Sequence, residues 1–403
     1  TFCNLEVNKF YTMSKKELGL NTICTHVGET PDEQFKGAVS PIYLSSSYEF
    51  MDVDVKRYPR YFNTPNQEYL CKKIATLEHA EAAMIFGSGM AAISTTLLAF
   101  LKSGDHVVVQ NDIYGGTRNL MEEHFENYQI DFTFTNGIHV SDFEKVIREN
   151  TKMIYIETPS NPLLKIVDIE AVANLAKSRG IISAIDNTFA SSVVQNPIDF
   201  GIDIVMHSAT KYYGGHSDIC AGAVASSQEH IDTIWNIAKN LGGSLSDFTV
   251  WMLERSMKTL ALRVNAQQKN AKKLAKYLSN HNAISKVYYP GLKSHPDHLI
   301  AKKQMKGFGA MLSFELHERI DSQEFLKALK MIKPSMSLAG IESTMLLPAV
   351  ASHALLTPED RLAQGITDNL IRFSVGIEDR RDLIKDIEQA IKTVETSKLI
   401  EAN

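Results

Sequence analysis

Short runs of β-branched and apolar residues alternate along the chain with stretches of helical spacing, and this alternation limits the fold more than any other feature. The runs read AAMIF, HVVVQ, DFTFT, MIYIE, IISAID and IDIVMHSA, and DIEAVANLAKSRG is one of the helical stretches between them. Such alternation is typical of βαβ units, which build a mostly parallel sheet. Several runs are apolar throughout, as expected of strands covered on both faces. The pattern therefore predicts an α/β domain over residues 67–255.

The chain has a different pattern on either side of that domain. Residues 1–66 are rich in Ser, Thr, Pro and Tyr and have no sustained helical or strand period, which predicts an N-terminal arm that wraps around another body. After residue 255 come a long amphipathic stretch, the alternating runs GAMLSFEL and LIRFSVGI, and a closing helix. We therefore expect residues 256–403 to form a smaller α+β domain.

Composition and charge exclude several classes of protein. Of the 403 residues 44% are hydrophobic and 22% are charged, as in ordinary globular proteins. The net charge of -5 disfavours nucleic acid and anionic membranes as partners. The four cysteines, at positions 3, 24, 71 and 220, lie far apart without zinc-ligand spacing. We expect no metal site and a reducing compartment.

No segment has the composition of a signal peptide or a membrane span. The first twenty residues lack an uninterrupted apolar stretch. The most apolar segment, residues 91–101, is only about half as long as a membrane span. These features predict a soluble, cytoplasmic protein. Met13 is a candidate native start, with residues 1–12 as an upstream extension.

Three strand-to-helix junctions hold residues that could carry chemistry, and in open parallel sheets ligands bind at the carboxyl ends of the strands. The segment GSGM at 87–90 offers glycines and helix-start N–H groups, which suit a phosphate. Asp186 ends the run IISAID, where a carboxylate can also be a plain helix cap. Ser208, Thr210 and Lys211 follow IDIVMHSA, although a lysine at a strand end is commonly a surface residue. Together these groups predict a site for pyridoxal 5'-phosphate. Backbone amides and hydroxyls would bind its phosphate, the carboxylate would pair with its pyridinium nitrogen, and the lysine amine would form an imine with it.

Long motifs in a fixed order make the chain resemble the cysteine and methionine metabolism family of pyridoxal-phosphate enzymes, the trans-sulfuration lyases and synthases. The matching segments are SGMAAI, DIYGGT, ETPSNP, DNTFAS, HSATKYYGGHSDICAGAV, SLAGIES, LPAVASHA and LIRFSVGIED. The resemblance covers nearly the whole length. It implies the pyridoxal-phosphate transferase-like fold of aspartate aminotransferase type, with a mostly parallel sheet in a large domain and a smaller α+β C-terminal domain. It also implies a homotetramer, built as a dimer of dimers.

The resemblance implies a role for each matching residue. Lys211 would form the imine with the cofactor, Asp186 would pair with its ring nitrogen, and Tyr114 would stack on its ring. Tyr114 could instead be a half-buried core residue, and an arginine inside the strand LIRFSV could serve a structural salt bridge in place of a substrate. The residues implied to hold the cofactor phosphate are Gly89, Met90, Ser208 and Thr210. Those implied to bind the substrate are Asn161, Ser337 and Arg372.

The arm segment KRYPRYFNTPN resembles the part of the family that reaches the phosphate of a neighbouring subunit. Tyr58 and Arg60 match that pattern, with Tyr58 also implied as a catalytic group. The match weakens at Asn63, Thr64 and Pro65, where the family usually has Asn-Pro-Thr. The path of this loop is therefore left open.

The parts predict a carbon–sulfur lyase that acts on cystathionine or a related amino acid and releases a thiol amino acid, a 2-oxo acid and ammonia. Arg57 and Met336 stand where some cystathionine-binding relatives have acids, which favours β-elimination over γ-elimination by a small margin. The alternative is γ-replacement, by a cystathionine γ-synthase or a homoserine-ester sulfhydrylase. Gly116, in place of the cysteine typical of methionine γ-lyases, disfavours that activity. Intact Lys211 and Asp186 disfavour a non-catalytic scaffold.

Overall fold

The computed structural model describes residues 18–352, 354 and 357–401. Cys3, the candidate start at Met13 and the first part of the predicted arm lie outside the described residues, as does His353 of the LPAVASHA motif. The described part of the arm holds a short α-helix, Leu20–His26, and a 3-10 helix, Pro59–Tyr61, that the sequence did not predict, because seven and three residues are too few to show a period.

The first part of the chain alternates strands and helices. In chain order its elements are α1 (Leu20–His26), α2 (Pro65–Glu78), β1 (Ala82–Phe86), α3 (Gly89–Phe100), β2 (His106–Val109), α4 (Gly115–His124), β3 (Asp131–Phe134), α5 (Val140–Glu144), β4 (Thr151–Glu157), α6 (Ile169–Ser178), β5 (Ile182–Asp186), α7 (Ser191–Val194), β6 (Ile204–His207), β7 (Gly222–Ser226), α8 (Gln228–Leu241), α9 (Asp247–Met257) and α10 (Leu260–Leu278).

The large sheet is mostly parallel, as predicted. Within the described ranges it has seven strands in the order β1-β7-β6-β5-β4-β2-β3. Strands β2 to β6 pair in parallel, whereas β7 pairs antiparallel with both β1 and β6. This order places β4, β5 and β6 side by side, so their carboxyl ends meet at one edge.

Burial on both faces of the large sheet explains why its strands are apolar throughout. On β4, Met153 and Tyr155 join one buried cluster and Ile154 and Ile156 join another, and all four are fully buried. Successive strand residues point to opposite faces. The centre of the sheet is therefore fixed on both sides, which gives rigid positions to the residues that follow its strands.

The departure from the family pattern in the arm forms a regular helix start. Thr64 caps α2 by accepting a hydrogen bond from the Gln67 N–H, and the Gln67 side chain accepts the Thr64 N–H in return. Pro65 occupies the first helical position, where its missing N–H has no consequence. The Asn63 side chain accepts the backbone N–H of Tyr58 at 2.9 Å, which folds the preceding segment back.

A second, smaller sheet follows α10. Its region contains β8 (Ile284–Tyr288), α11 (His298–Gln304), β9 (Met311–Leu316), α12 (Ser322–Ala328), β10 (Lys333–Pro334), β11 (Thr344–Leu346), α13 (Pro358–Ala363), β12 (Leu370–Ser374) and α14 (Arg380–Glu401). Of the described residues, five strands form this sheet in the order β10-β11-β12-β9-β8, with only the β10 and β11 pair parallel. The predicted α/β fold with a second α+β part is confirmed, while the predicted domain boundaries stay predictions. Across the described ranges no helix is long and apolar enough to cross a membrane.

Candidate active site

A cavity of about 550 Å³ lies at the carboxyl ends of β4, β5 and β6, within the size range of small-molecule sites. Both parts of the fold contribute walls, because residues near β10 and on β12 face the strand ends of the large sheet. The cavity brings together most of the residues that the sequence predicted. Those that line it are Gly89, Met90, Tyr114, Asn161, Asp186, Ser208, Thr210, Lys211, Ser337 and Arg372.

The start of α3 and the segment after β6 form a cradle suited to a phosphate. The Ser88 side chain accepts the Ala91 N–H at 3.0 Å, and the Ser88 carbonyl accepts the Ala92 N–H. The N–H groups of Gly89 and Met90 therefore stay outside the hydrogen bonds of the helix and can face an anion. A Cβ atom on Gly89 would lie 2.8 Å from the Ser208 Cβ, so only glycine allows this close approach.

Lys211 follows β6 and points into the cavity. Its Nζ donates a hydrogen bond to the Ser337 Oγ at 2.8 Å. Burial, and then the Arg372 charge, lower the pKa of Lys211 to about 8. An amine that is partly neutral near physiological pH can form an imine and can remove a proton from carbon. Ser337 itself has a left-handed backbone with φ 75°, a conformation that few non-glycine residues adopt.

Asp186 is the last residue of β5 and is buried at the base of the cavity. Its Oδ1 accepts the backbone N–H of Thr188 at 2.9 Å. Burial raises the pKa of Asp186, while the Thr188 hydrogen bonds and the charges of His207 and Lys211 oppose that rise. A buried carboxylate with an open side is suited to a cationic ring nitrogen, because such a partner compensates its desolvation.

The Tyr114 ring lies half exposed at the cavity wall, 46% accessible. Its backbone N–H donates to the Glu157 Oε2 at 2.7 Å, which ties the start of α4 to the end of β4. A Cβ atom on Gly116 would lie 2.5 Å from the Tyr114 Cε1, so the ring takes the space that a larger residue would fill. Tyr114 is therefore not a core residue in this chain, and its stacking role stays a prediction.

Arg372 joins the residues that were predicted to bind substrate. It is buried in the middle of β12, where its Nη1 donates to the Asn161 Oδ1 at 3.1 Å and its Nη2 to the Ser337 carbonyl at 2.9 Å. Burial lowers the pKa of Arg372 to about 10. In the part of the chain that the structure describes, no carboxylate lies within ion-pair distance of this guanidinium. A substrate carboxylate would provide the anion that Arg372 lacks.

Tyr58 and Arg60 lie outside the cavity of their own chain. Arg60 donates to the Lys239 carbonyl, and its guanidinium carbon lies 5.5 Å from the Tyr58 ring centroid and 5.3 Å from that of Tyr61. The Tyr58 side chain is 41% exposed. Their predicted contact with a neighbouring subunit's phosphate therefore stays a prediction.

Arg263 on α10 is a buried residue that supports the Lys211 segment and that the sequence did not single out. Its guanidinium donates to the carbonyls of Tyr212 at 2.8 Å and of Tyr213 at 3.3 Å, directly after Lys211. A Cβ atom on Gly215 would lie 1.8 Å from its Nη1. The signal was an arginine on the apolar face of an amphipathic helix, where a cation needs buried acceptors.

Known proteins match this chain over nearly its whole length. Residues 21–392 match the family described as Cys/Met metabolism PLP-dependent enzyme. The chain is 44% identical to cystathionine gamma-lyase of Bacillus subtilis (strain 168) over 93% of this chain and 99% of that protein. It is 42% identical to cystathionine beta-lyase of Lactococcus lactis subsp. cremoris (strain MG1363), again over 93% and 99%. The solved structure of cystathionine gamma-lyase from Lactobacillus plantarum, complexed with L-serine, has a TM-score of 0.90 at 40% identity and covers 94% of this chain and 100% of its own.

The chain therefore belongs to the Cys/Met metabolism family of pyridoxal-phosphate-dependent enzymes. Its cofactor is pyridoxal phosphate, and its class is that of the carbon–sulfur lyases of sulfur amino-acid metabolism. The predicted family, fold, cofactor and enzyme class are confirmed. Further relatives are named L-methionine gamma-lyase and cystathionine gamma synthase, so the comparisons give the class without the exact reaction.

Proposed function

We propose that this enzyme is a cystathionine lyase that favours β-elimination, giving homocysteine, pyruvate and ammonia. The observation that carries the proposal is the uneven distribution of charge in the cavity. Arg372, together with Asn161 and Ser337, offers a binding site for one α-carboxylate beside the Lys211 amine. Met336, the residue before Ser337, gives the outer, solvent-exposed wall of the cavity an apolar side chain, where some cystathionine-binding relatives have an acid.

The inner end of the cavity can position an amino acid for loss of its α-proton. A carboxylate held by Arg372 places the substrate amine and α-carbon near Lys211, because Ser337 contacts both residues. Bound pyridoxal phosphate supplies an imine to the substrate amine and an electron sink for the pair left behind when the α-proton departs. The neutral amine of Lys211 accepts that proton. The Asp186 carboxylate stabilises the positive charge on the nitrogen of the bound ring.

The position of the sulfur decides how many proton removals the reaction needs. When the sulfur is bonded to the β-carbon, the carbon–sulfur bond can break and release a thiolate as soon as Lys211 has removed the α-proton. When the sulfur is bonded to the γ-carbon, the thiolate can leave only after a second proton has been removed, this time from the β-carbon. One base beside the α-carbon is sufficient for the first reaction.

The outer wall offers no carboxylate for the distal ammonium of cystathionine. Met336 lines the cavity and is 68% exposed. Among the described lining residues the acids are Glu157 and Asp186, and both are buried at the inner end. Arg57, the other position of interest, pairs with Glu68 at 2.8 Å outside the cavity. Among the described residues that line the cavity, no acid is therefore placed to bind the distal ammonium in the γ-lyase manner.

Product analysis tests the proposed reaction. Purified holoenzyme is incubated with cystathionine, and the 2-oxo acid and the thiol are identified. We expect pyruvate and homocysteine in excess over 2-oxobutanoate and cysteine. An excess of 2-oxobutanoate would contradict β-elimination. Formation of cystathionine from an activated homoserine and cysteine, without lyase products, would indicate γ-replacement instead.

The arm supports the further proposal that the enzyme is a homotetramer whose sites lie between paired chains. Large apolar side chains at residues 35–61 are exposed, among them Phe35 at 78%, Leu44 at 67% and Met51 at 69%. Such a concentration of exposed apolar surface is typical of an interaction site. Tyr58 and Arg60 lie at its end, where a second copy could bring them to another cavity. Light scattering should give four times the chain mass, and a monomer would contradict the proposal.

The cytoplasmic location stays a prediction.

A further inference from the structure

Two acidic residues lie side by side at the base of the cavity, and the proposed chemistry uses only one of them. Glu157 ends β4 and Asp186 ends β5, and the register of the two strands pairs these residues directly. Glu157 is 4% exposed and Asp186 is 6% exposed, and both line the cavity. Two carboxylates this close together in a buried site cannot both ionise easily.

Glu157 connects two loops that carry predicted site residues. Its Oε2 accepts the backbone N–H of Tyr114 at 2.7 Å, and the backbone N–H of Asn161 is near enough to its carboxyl to oppose the rise in the carboxyl's pKa. The backbone N–H of Glu157 itself donates to the Gln110 side chain at 3.0 Å. One buried carboxyl thus fixes the loop of the stacking residue and the loop of the Arg372 partner.

The charges around the two acids differ in sign. Asp186 is faced by Lys211 and by His207, whose ring lies 2.5 Å from the Glu78 carboxylate. The charges that act on Glu157 are those of Asp186 and Asp112. The Lys165 ammonium near this region is already paired with Asp112 at 2.7 Å. In the described part of the chain, no cation lies within ion-pair distance of Glu157.

The acid without a cation is the one that keeps its proton. Burial, followed by the Asp186 charge, raises the pKa of Glu157 well above its usual value, although the two N–H donors oppose that rise. Asp186 has the more favourable surroundings for a negative charge.

We propose that Glu157 is an uncharged positioning residue, which holds the backbones of Tyr114 and Asn161 while Asp186 carries the negative charge of the pair. This division separates two tasks that a pair of ionised carboxylates could not perform together. Glu157 fixes geometry without placing a second charge beside Asp186. The inference rests on the proposed site, but it does not depend on which sulfur amino acid is the substrate.

Infrared difference spectroscopy of the holoenzymes near neutral pH tests the protonation states without turnover. The matched variants are Glu157→Gln and Asp186→Asn, each of which replaces an acid by its isosteric amide. Subtracting the Glu157→Gln spectrum from that of the wild type should reveal the carbonyl band of a protonated carboxylic acid. The Asp186→Asn difference should reveal a carboxylate band. A carboxylate band in the Glu157→Gln difference would overturn the proposal.

Kinetics of the same variants, with Glu157→Ala added, test the positioning role. Glu157→Gln keeps an acceptor for one of the two N–H groups, so we expect kcat to fall by about fivefold, the worth of one hydrogen bond. Glu157→Ala loses both contacts, and we expect a fall of about 25-fold. Asp186→Asn should cost at least about a hundredfold through lost electrostatic stabilisation. A loss in Glu157→Gln as large as that in Asp186→Asn would overturn the uncharged role. If Glu157→Ala fails to fold, the comparison of the two amides still decides.

Discussion

The inner end of the cavity and the arm differ in what holds their residues in place. Asp186 ends one strand of the central sheet and Lys211 follows another, and hydrogen bonds within the same chain fix them. Tyr58 and Arg60 lie on an exposed surface among apolar side chains. The difference teaches that one chain completes the inner half of its site, whereas the proposed role of the arm needs a second chain.

The largest expected effect is at the inner end. Lys211→Ala should lower turnover by at least about 10²–10⁴-fold, the worth of a general base, before the loss of imine exchange is added. Steady-state production of 2-oxo acid measures this effect. The exposed Lys102→Ala serves as the matched control and should keep its turnover. Undiminished activity in Lys211→Ala would show that the inner end does not hold the reacting amine.

The arm is tested by mixing Arg60→Ala, assayed at a cofactor concentration that leaves it almost inactive, with the inactive Lys211→Ala. Arg60→Ala should weaken cofactor binding about 10–100-fold, as expected for a hydrogen bond to a charged group. After chain exchange with Lys211→Ala, about one quarter of the wild-type activity should return, because half of the dimers are mixed and each holds one intact site. Activity assays before and after mixing measure the return. Absence of recovery despite proven exchange would show that each site is complete within one chain.

The dependence of kcat on pH distinguishes the inner end from the arm. A change at the inner end should shift the pH at which kcat falls, whereas a change in the arm should alter only the size of kcat. Lys211 acts as a base only when neutral, and its lowered pKa of about 8 places the acidic limb of kcat near that pH. Below the limb kcat should fall about tenfold per pH unit. Arg60→Ala, in the arm, should change the level of activity while the limb stays in place. A limb that moves with Arg60→Ala would show that the Arg60 charge acts directly on the base.

The smallest expected effect is at the outer wall of the cavity. Met336→Glu adds an acid at an exposed position, so it should lower KM for cystathionine by no more than about fivefold, the worth of an exposed ion pair. kcat should change less than KM. Met336→Gln is the uncharged control. An equal gain in both variants would show that charge at this wall does not contact the distal ammonium.

The sequence predicted the inner end well because short-range signals place its residues. Asp186 and Lys211 each follow an apolar run, and parallel strands bring such positions to one edge. The small residues of β7 gave no strand signal, so its antiparallel pairing between β1 and β6 was not predicted. Glu157 was visible in the ETPSNP motif, but its role depends on strand register and on a hydrogen bond across 43 positions. Such long-range contacts are not encoded in local periodicity.

Arg263 has a consequence for how Lys211 moves. Its guanidinium holds the carbonyls of Tyr212 and Tyr213 and fills the space above Gly215, so the main chain after Lys211 is pinned from α10. In the proposed reaction Lys211 alternates between covalent attachment to the cofactor and proton transfer, so its amine has to move in every cycle. With its backbone fixed, that motion is restricted to rotations about the bonds of the side chain. The amine therefore moves only a short distance from the fixed Lys211 backbone, and it stays within reach of both the position for covalent attachment and the position for proton transfer.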